Sequence, residues 1–164
     1  MGHYEVPGMT LIKQNKTMSC WYASAQMLIQ WRQDQAMQSL GWLVPPDLDA
    51  KCIRLRDANN GIQNPQIVAM ANRLGLKAIP PESPTPEALE RWLSLYGPLW
   101  VNGKTHIVVI AGVDTVSSTV KVYDPDPATP IQWRSLSTWY AFGNSPSTRD
   151  TAKDVEAVFL YVPR

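Results

Sequence analysis

The chain has 164 residues, of which 45% are hydrophobic, and its net charge is +1. This length and composition suffice for one hydrophobic core, so we expect a single domain over residues 1–164. Because 15 basic residues nearly balance 14 acidic ones, the charge favours neither nucleic acid nor an anionic membrane as a partner. No apolar run approaches the ~20 residues of a membrane-spanning helix, and the N-terminus does not follow the pattern of a signal peptide.

The first predicted helix covers residues 19–32. Its sequence, SCWYASAQMLIQWR, contains neither Gly nor Pro, and Ala23, Met27 and Trp31 follow one another at four-residue steps. Such a stripe predicts a helix with one face in the core. Ser19 is the predicted N-cap, which places Cys20 in the first turn.

Two further helices are predicted from the residues at their starts and ends. Asn64 and Thr85 are capping side chains that are each followed by Pro at the first helical position, and the two helices end at Gly75 and Gly97. Before them, residues 41–61 contain a Pro pair and an Asn-Asn-Gly turn signal. That stretch predicts irregular surface structure with room for short helical pieces.

Strands dominate the last part of the chain. Residues 76–79 predict a short strand between the helices, and β-branched and aromatic residues then predict strands at 98–102, 106–114, 119–124 and 155–162. A helical part over about 14–97 thus precedes a sheet part over about 98–164. This order predicts an α+β fold in which a helical layer packs on an antiparallel sheet.

The strands at 106–114 and 119–124 predict a hairpin that brings His106 to Asp124. A turn centred on Thr115 would place the two residues opposite each other, because paired positions in a hairpin have a constant index sum. A shift of the turn by one position moves the partner by two residues, which keeps it on the same face. We therefore expect His106 and Asp124 to meet at the open end of this hairpin.

Cys20 and His106 form the candidate catalytic pair. A cysteine in the first turn of a helix lies at the positive end of the helix dipole, and a nearby imidazolium stabilises its thiolate further. Asp124 would hold the imidazole in the useful tautomer, as in a catalytic triad. The backbone N–H of Cys20 and the side-chain amide of Gln14, six residues earlier, are the candidate donors to an oxyanion.

The run QNKTMSCWYA, in which Gln14 precedes Cys20 by six residues and Trp21 follows it, resembles the papain-like cysteine peptidases. The His-containing strand and the later Asp-Pro look more like the compact bacterial branches of that superfamily: effector proteases of plant pathogens and leader-peptidase domains of bacteriocin exporters. The resemblance implies a papain-like fold whose central helix carries the nucleophile, with Gln14 in the oxyanion hole and Asp124 in the triad. Around the nucleophile, we expect Trp21 and Ser19 to bind substrate.

The resemblance also implies a function. We expect a cysteine endopeptidase that cleaves peptide bonds in a protein target, acts as a monomer and needs no cofactor. Its size resembles that of bacterial effector or toxin domains, which are secreted or delivered into another cell and often have a dedicated immunity or inhibitor protein as a partner. The alternatives are a deamidase or transglutaminase-like acyl transferase, which residue types alone do not separate from a peptidase, and a catalytically idle peptide-binding module.

The second cysteine and a metal site are the remaining alternatives. Cys52 lies between charged residues with no neighbouring histidine, so we interpret it as structural, although a Cys20–Cys52 disulfide stays open in an oxidising compartment. Two cysteines and His106 give three potential zinc ligands, but no C-x-x-C or H-x-x-x-H spacing brings two of them from one element. We therefore expect no metal.

Overall fold

The structure is a computed structural model that describes residues 2–80, 84–102, 106–136 and 159–163. The predicted helices and strands follow one another in the predicted order, and a few short elements occur in addition. The helices are α1 (Cys20–Ala36), α2 (Ala50–Ala58), α3 (Asn64–Leu74) and α4 (Pro86–Tyr96). The strands are β1 (His3–Glu5), β2 (Lys77–Ala78), β3 (Leu99–Asn102), β4 (Ile107–Asp114), β5 (Thr119–Tyr123), β6 (Gln132–Ser135) and β7 (Phe159–Tyr161).

Helix α1 begins as predicted and extends four residues beyond the predicted end. Ser19 is the N-cap residue, as predicted, although its side chain makes no capping hydrogen bond. The Ser19 hydroxyl instead donates to the carbonyl of Lys16 and accepts from the N–H of Lys16, each at 3.1 Å. It therefore closes the loop that leads into the helix.

The start of α4 is as predicted, whereas the start of α3 is shifted. Thr85 caps α4 by accepting from the N–H of Ala88 at 3.0 Å. In α3 the capping residue is Gln63 rather than Asn64, and it forms a reciprocal capping box with Gln66. The backbone N–H of Gln63 donates to Oε1 of Gln66 at 2.8 Å, which a long amide side chain at the third helical position makes possible.

The glycine that ends α4 is required by a close contact as well as by its backbone conformation. Gly97 has a φ of +86°, and a Cβ at this position would lie 2.3 Å from the ring of Trp31. Only glycine combines the left-handed conformation with this approach. Gly75 likewise ends α3 in the left-handed region, so both predicted helix ends are confirmed.

Residues 41–61 contain more regular structure than predicted. A 3-10 turn at Pro46–Leu48 is followed by α2, whose N-cap Asp49 accepts from the N–H of Cys52 at 3.1 Å. Arg73 of α3 pairs with the same carboxylate at 3.0 Å and so ties the two helices together. The short α2, in which four of nine residues are charged, carries little hydrophobic periodicity, which explains why the sequence predicted only short helical pieces here.

The strands form one sheet with the order β2-β7-β3-β4-β5-β6, and β1 pairs with the second half of β4. Every described pairing is antiparallel, as predicted. Strands β1 and β6 were not predicted; both are short, and none of their residues is fully buried. The last predicted strand is seen as Phe159–Tyr161, and its residues 155–158 lie outside the described part of the chain.

The hairpin of β4 and β5 has a different register from the predicted one. Asp114 pairs with Thr119, and Val109 pairs with Tyr123 after an irregularity between Ile110 and Gly112. Extended to residue 106, this register points to residue 126 rather than to Asp124 as the directly opposite position. The predicted pairing is therefore off by two residues, which preserves the face of the strand.

Helix α1 packs against β3 and β4. The indole N–H of Trp100 donates to the carbonyl of Trp21 at 3.1 Å, and the Ser24 hydroxyl donates to the carbonyl of Ile107 at 3.4 Å. Both contacts are buried, so they are shielded from competing water. Because Cys20 is the first residue of α1, this packing holds it at the start of β4.

Candidate active site

Cys20 lies half-buried at the beginning of α1 and is a free thiol. The backbone N–H of Ile107, the first residue of β4, approaches its Sγ at 3.4 Å. Both this N–H and the N-terminus of α1 place positive partial charge next to the sulfur. The surroundings of Cys20 therefore favour negative charge on the sulfur, the form that attacks a carbonyl.

His106 and Asp124 meet, as predicted. Nε2 of His106 lies 2.5 Å from Oδ1 of Asp124. Because a carboxylate only accepts, Nε2 carries a proton, and when the ring is in its neutral form Nδ1 is the acceptor. The backbone N–H of Asp126 donates to the same carboxylate oxygen at 2.9 Å and fixes its orientation.

His106 and Asp124 each shift the pKa of the other toward its charged form. Burial by itself lowers the pKa of His106, but hydrogen bonds to Asp124 and Cys20 and the negative charges of both raise the pKa to about 10. Burial raises the pKa of Asp124, and the hydrogen bonds from His106 and Asp126 outweigh it, so this pKa lies below its usual value. At neutral pH the pair is an imidazolium and a carboxylate, and the imidazolium faces the thiol.

Gln14 is held by the loop that precedes α1. Its side-chain Nε2 donates to the carbonyls of Lys16 at 2.8 Å and Thr17 at 3.0 Å, and its Oε1 is buried without a partner among the described residues. Both amide hydrogens are thus in use within the loop. An oxyanion would gain this donor only after the amide turns, so the oxyanion role of Gln14 stays a prediction.

The two residues predicted to bind substrate occupy different environments. Ser19 is buried, does not line the cleft around Cys20, and uses its hydroxyl on the backbone of Lys16. Trp21 is also buried but contributes to the wall of that cleft. The geometry therefore leaves Trp21 as a candidate for substrate contact and gives Ser19 a role in shaping the loop.

A cleft of about 210 Å³ opens over Cys20 and His106. The side formed by Cys20, Trp21 and His106 was predicted from the sequence. The opposite side, formed by the loop between α2 and α3 and by the end of β3, was not. The segments that form the two sides lie about 40 positions apart in the chain, so no local sequence signal could have predicted that they meet. The lining residues are Thr17, Met18, Cys20, Trp21, Asn60, Gly61, Ile62, Gln63, Asn102, His106 and Ile107.

Lys13 is a further residue that sequence analysis missed. Its Nζ donates to the carbonyls of Asp126 at 2.7 Å and Thr129 at 2.5 Å, with the carbonyl of Asp124 at 3.5 Å. The next residue, Gln14, donates its backbone N–H to the carbonyl of Pro125 at 2.8 Å. Residues 13–14 therefore hold the loop that carries Asp124, and the adjacency of Lys13 to Gln14 was the only hint in the sequence.

The second cysteine is unlike the first. Cys52 is completely buried and free. Burial, followed by the neighbouring Asp49, raises the pKa of Cys52 to about 12.

Within the described residues no group of His, Cys, Asp and Glu could hold a metal ion, and no helix there is long and apolar enough to cross a membrane.

Comparison with known proteins gives one family and several solved structures. The family model described as "Papain-like cysteine protease AvrRpt2" matches residues 1–142 of the chain. A double-glycine-motif protease from an AMS/PCAT transporter, solved with its leader peptide, is 15% identical with a TM-score of 0.54, over 96% of this chain and 92% of that one. None of the curated proteins compared with the chain matches it.

Two further solved structures share the fold. The peptidase domain of Streptococcus ComA, a bifunctional ABC transporter of a quorum-sensing pathway, is 17% identical with a TM-score of 0.55, over 96% of this chain and all 100% of that one. UfSP from C. elegans is 18% identical with a TM-score of 0.62, over 99% of this chain but only 34% of that one. At these identities the likeness concerns the fold.

Proposed function

The chain belongs to the family of papain-like cysteine proteases described by AvrRpt2, and from that premise we propose that it hydrolyses peptide bonds in a protein substrate through Cys20, His106 and Asp124. The family match and the shared fold confirm the predicted α+β papain-like architecture and the class of cysteine peptidase. The assignment of individual residues is our proposal. The observation that carries it is the hydrogen bond between Asp124 and His106, because His106 lines the same cleft as Cys20.

In the acylation step, the Cys20 thiolate attacks the carbonyl carbon of the scissile peptide bond. The tetrahedral intermediate collapses as His106 gives a proton to the leaving amine, which leaves a thioester on Cys20. His106, now neutral, takes a proton from water, and the resulting attack on the thioester releases the acid and restores the thiolate. Asp124 keeps the ring in the tautomer that both steps need.

The oxyanion of both steps needs donors that point at the developing charge. The backbone N–H of Cys20, at the start of α1, has no partner within its own helix. The amide of Gln14 is the second proposed donor, and it can serve once substrate draws Nε2 away from the carbonyls of Lys16 and Thr17. Binding of the transition state would then replace two loop hydrogen bonds by one to a charged oxygen.

The direct test is cleavage of a proteome-derived peptide library, with product N-termini identified by mass spectrometry. Wild-type protein should generate new N-termini and Cys20→Ala should generate none. Labelling of Cys20 by an iodoacetamide probe should be suppressed by the epoxide inhibitor that traps papain-like thiols. Conversion of glutamine to glutamate without chain cleavage would instead favour a deamidase.

We also propose that the protease acts as a monomer after secretion or delivery into another cell, as an effector or toxin. The family match and the sequence resemblance to effector proteases support this role. An inhibitor or immunity protein that covers the cleft would then protect the producing cell. Expression of wild-type protein inside a candidate target cell should impair that cell, whereas Cys20→Ala should not; equal effects of the two would contradict a protease role there.

A further inference from the structure

We propose that the groove between α2 and α3 binds an acidic segment of the protein substrate, an inference that rests on the protease function proposed above. The groove encloses about 450 Å³, against about 210 Å³ for the cleft over Cys20. Lys51, Arg54 and Leu55 line it from α2, and Gln66 and Arg73 line it from α3. It is therefore large enough for several side chains of a bound peptide.

The charges that line the groove are all positive. Arg73 is neutralised by its ion pair with Asp49 at 3.0 Å. Lys51 and Arg54 are exposed, and neither has an ion-pair partner within the described residues. Lys51 and Arg54 attract carboxylates, and the apolar Leu55 can contact aliphatic carbon, so the groove suits a substrate segment rich in Asp and Glu. Binding of such a segment should weaken as the salt concentration rises.

The segments that line the groove and the catalytic cleft adjoin each other along the chain. Asn59 ends α2 and is tied to the loop before Cys20, because its Oδ1 accepts from the N–H of Met18 at 2.8 Å and its Nδ2 donates to the Thr17 hydroxyl at 2.9 Å. Residues 60–63 then line the cleft, and the first turn of α3 lines the groove. Gln63 of the cleft and Pro65 of the groove are therefore two positions apart, and a peptide that leaves the cleft past Gln63 would next meet the first turn of α3.

The length of the groove sets the length of the acidic segment. Along α3 the groove runs from residue 65 to residue 73, a rise of ~12 Å at 1.5 Å per residue. An extended peptide covers that distance with ~4 residues. We therefore expect about four positions on one side of the scissile bond to favour Asp and Glu.

The first experiment reverses the charge of the groove. The peptide library described above is cleaved by wild type, by Lys51→Glu/Arg54→Glu, and by the control Lys77→Glu/Arg91→Glu, which changes net charge equally at exposed positions elsewhere. Wild type and control should favour acidic segments by about three- to tenfold in kcat/KM, as two exposed ion pairs allow. The groove variant should lose or invert this preference. Equal preferences in all three proteins would overturn the proposal.

The second experiment separates the groove from the catalytic chemistry. Binding of fluorescein-labelled Gly-Ser-Glu-Glu-Asp-Glu-Gly-Ser to Cys20→Ala protein is followed by fluorescence anisotropy, with and without the Lys51→Glu/Arg54→Glu changes. If the peptide binds only when Lys51 and Arg54 are present, but the wild-type protein cleaves no peptide, the groove is supported and the protease function is contradicted. If the wild-type protein cleaves peptides without preferring acidic segments, the protease function is supported and the groove is contradicted. Tighter binding of a labelled RNA of equal charge would also overturn the proposal.

The two substitutions are on the surface, so thermal melts of both double variants should match wild type. If the Lys51→Glu/Arg54→Glu variant melts at a lower temperature than both wild type and the control variant, the cleavage experiment is repeated with the neutral variant Lys51→Gln/Arg54→Gln. The neutral variant should lose the acidic preference without acquiring a basic one. Retention of the full acidic preference by a folded neutral variant would overturn the proposal.

Discussion

The starts of α1 and α2 each carry a cysteine, and their surroundings make the two thiols chemically different. Cys20 is half-buried and faces the imidazolium of His106, whereas Cys52 is fully buried and lies against the carboxylate of Asp49. Burial, and then Asp49, raise the pKa of Cys52 to about 12. A place in the first helical turn therefore does not make a cysteine a nucleophile; access and the sign of the neighbouring charge decide.

Removal of the first thiol should have the largest effect. Cys20→Ala should abolish peptide cleavage, because no other described thiol faces His106. The fold should survive, since Ala is a good helix residue and the lost volume is small. Cleavage is measured with a peptide substrate and folding by a thermal melt; near wild-type cleavage by a folded variant would refute the assignment of Cys20.

Asp124→Asn should have the next largest effect. The amide can donate to His106 and so allow the wrong tautomer, which should lower kcat by ~10²–10⁴-fold, the upper end coming from the serine-protease triad. Asp114→Asn is the matched control, because Asp114 lies at the far end of the same hairpin and bonds to His3 at 3.3 Å. Turnover that falls in Asp114→Asn but not in Asp124→Asn would mean that the triad is drawn around the wrong carboxylate.

Lys13→Met should have a smaller effect that tests whether the loop around Asp124 must be held. It removes the donor to the carbonyls of Asp126 and Thr129, so we expect kcat to fall by ~10-fold, about 1.4 kcal/mol, with little change in KM. Lys13→Arg should recover part of the loss. Lys16→Met is the control in the same segment, and an equal loss there would rule out a specific role for Lys13.

Cys52→Ser should have the smallest effect on catalysis. Activity should stay near the wild-type value, since Cys52 does not line the cleft and has no part in the proposed chemistry. Unfolding free energy should fall by only ~0.5–1.5 kcal/mol, because serine fills this completely buried place less well than cysteine, while Asp49 is at hand to accept from its hydroxyl. Loss of cleavage by a variant that remains folded would give Cys52 a functional role.

The contrast between the two cysteines also shows what could be predicted from sequence. Cys20 was identified because Gln14 and Trp21 flank it at fixed spacing, and its helix position follows from a local pattern. The meeting of His106 with Asp124 survived a wrong register, because strand alternation tolerates an even shift. Local periodicity and alternation are robust in this way.

The features of the site that could not be predicted depend on contacts between segments that are distant in the sequence. The hydrogen bonds from Lys13 to the loop around Asp124 join residues more than 110 positions apart. Residues 60–63 line the cleft beside Cys20 only because the tertiary fold brings the two segments together. Orientation of the Gln14 amide depends on which loop carbonyls it meets. Helix α2 was predicted only as a possible short helical piece, because its nine residues, four of them charged, form no apolar stripe, although Asp49 at its start is a good capping residue.

The protonation state of His106 tests the central claim most directly, which is that an imidazolium between Asp124 and Cys20 activates the thiol. An NMR titration of His106 in ¹⁵N-labelled protein carrying His3→Gln, which leaves a single histidine, reports its pKa. The account predicts protonation well above pH 8, in line with the pKa of about 10, and a lower pKa in Cys20→Ala and in Asp124→Asn. Titration of His106 near pH 6.5 in all three proteins would contradict it.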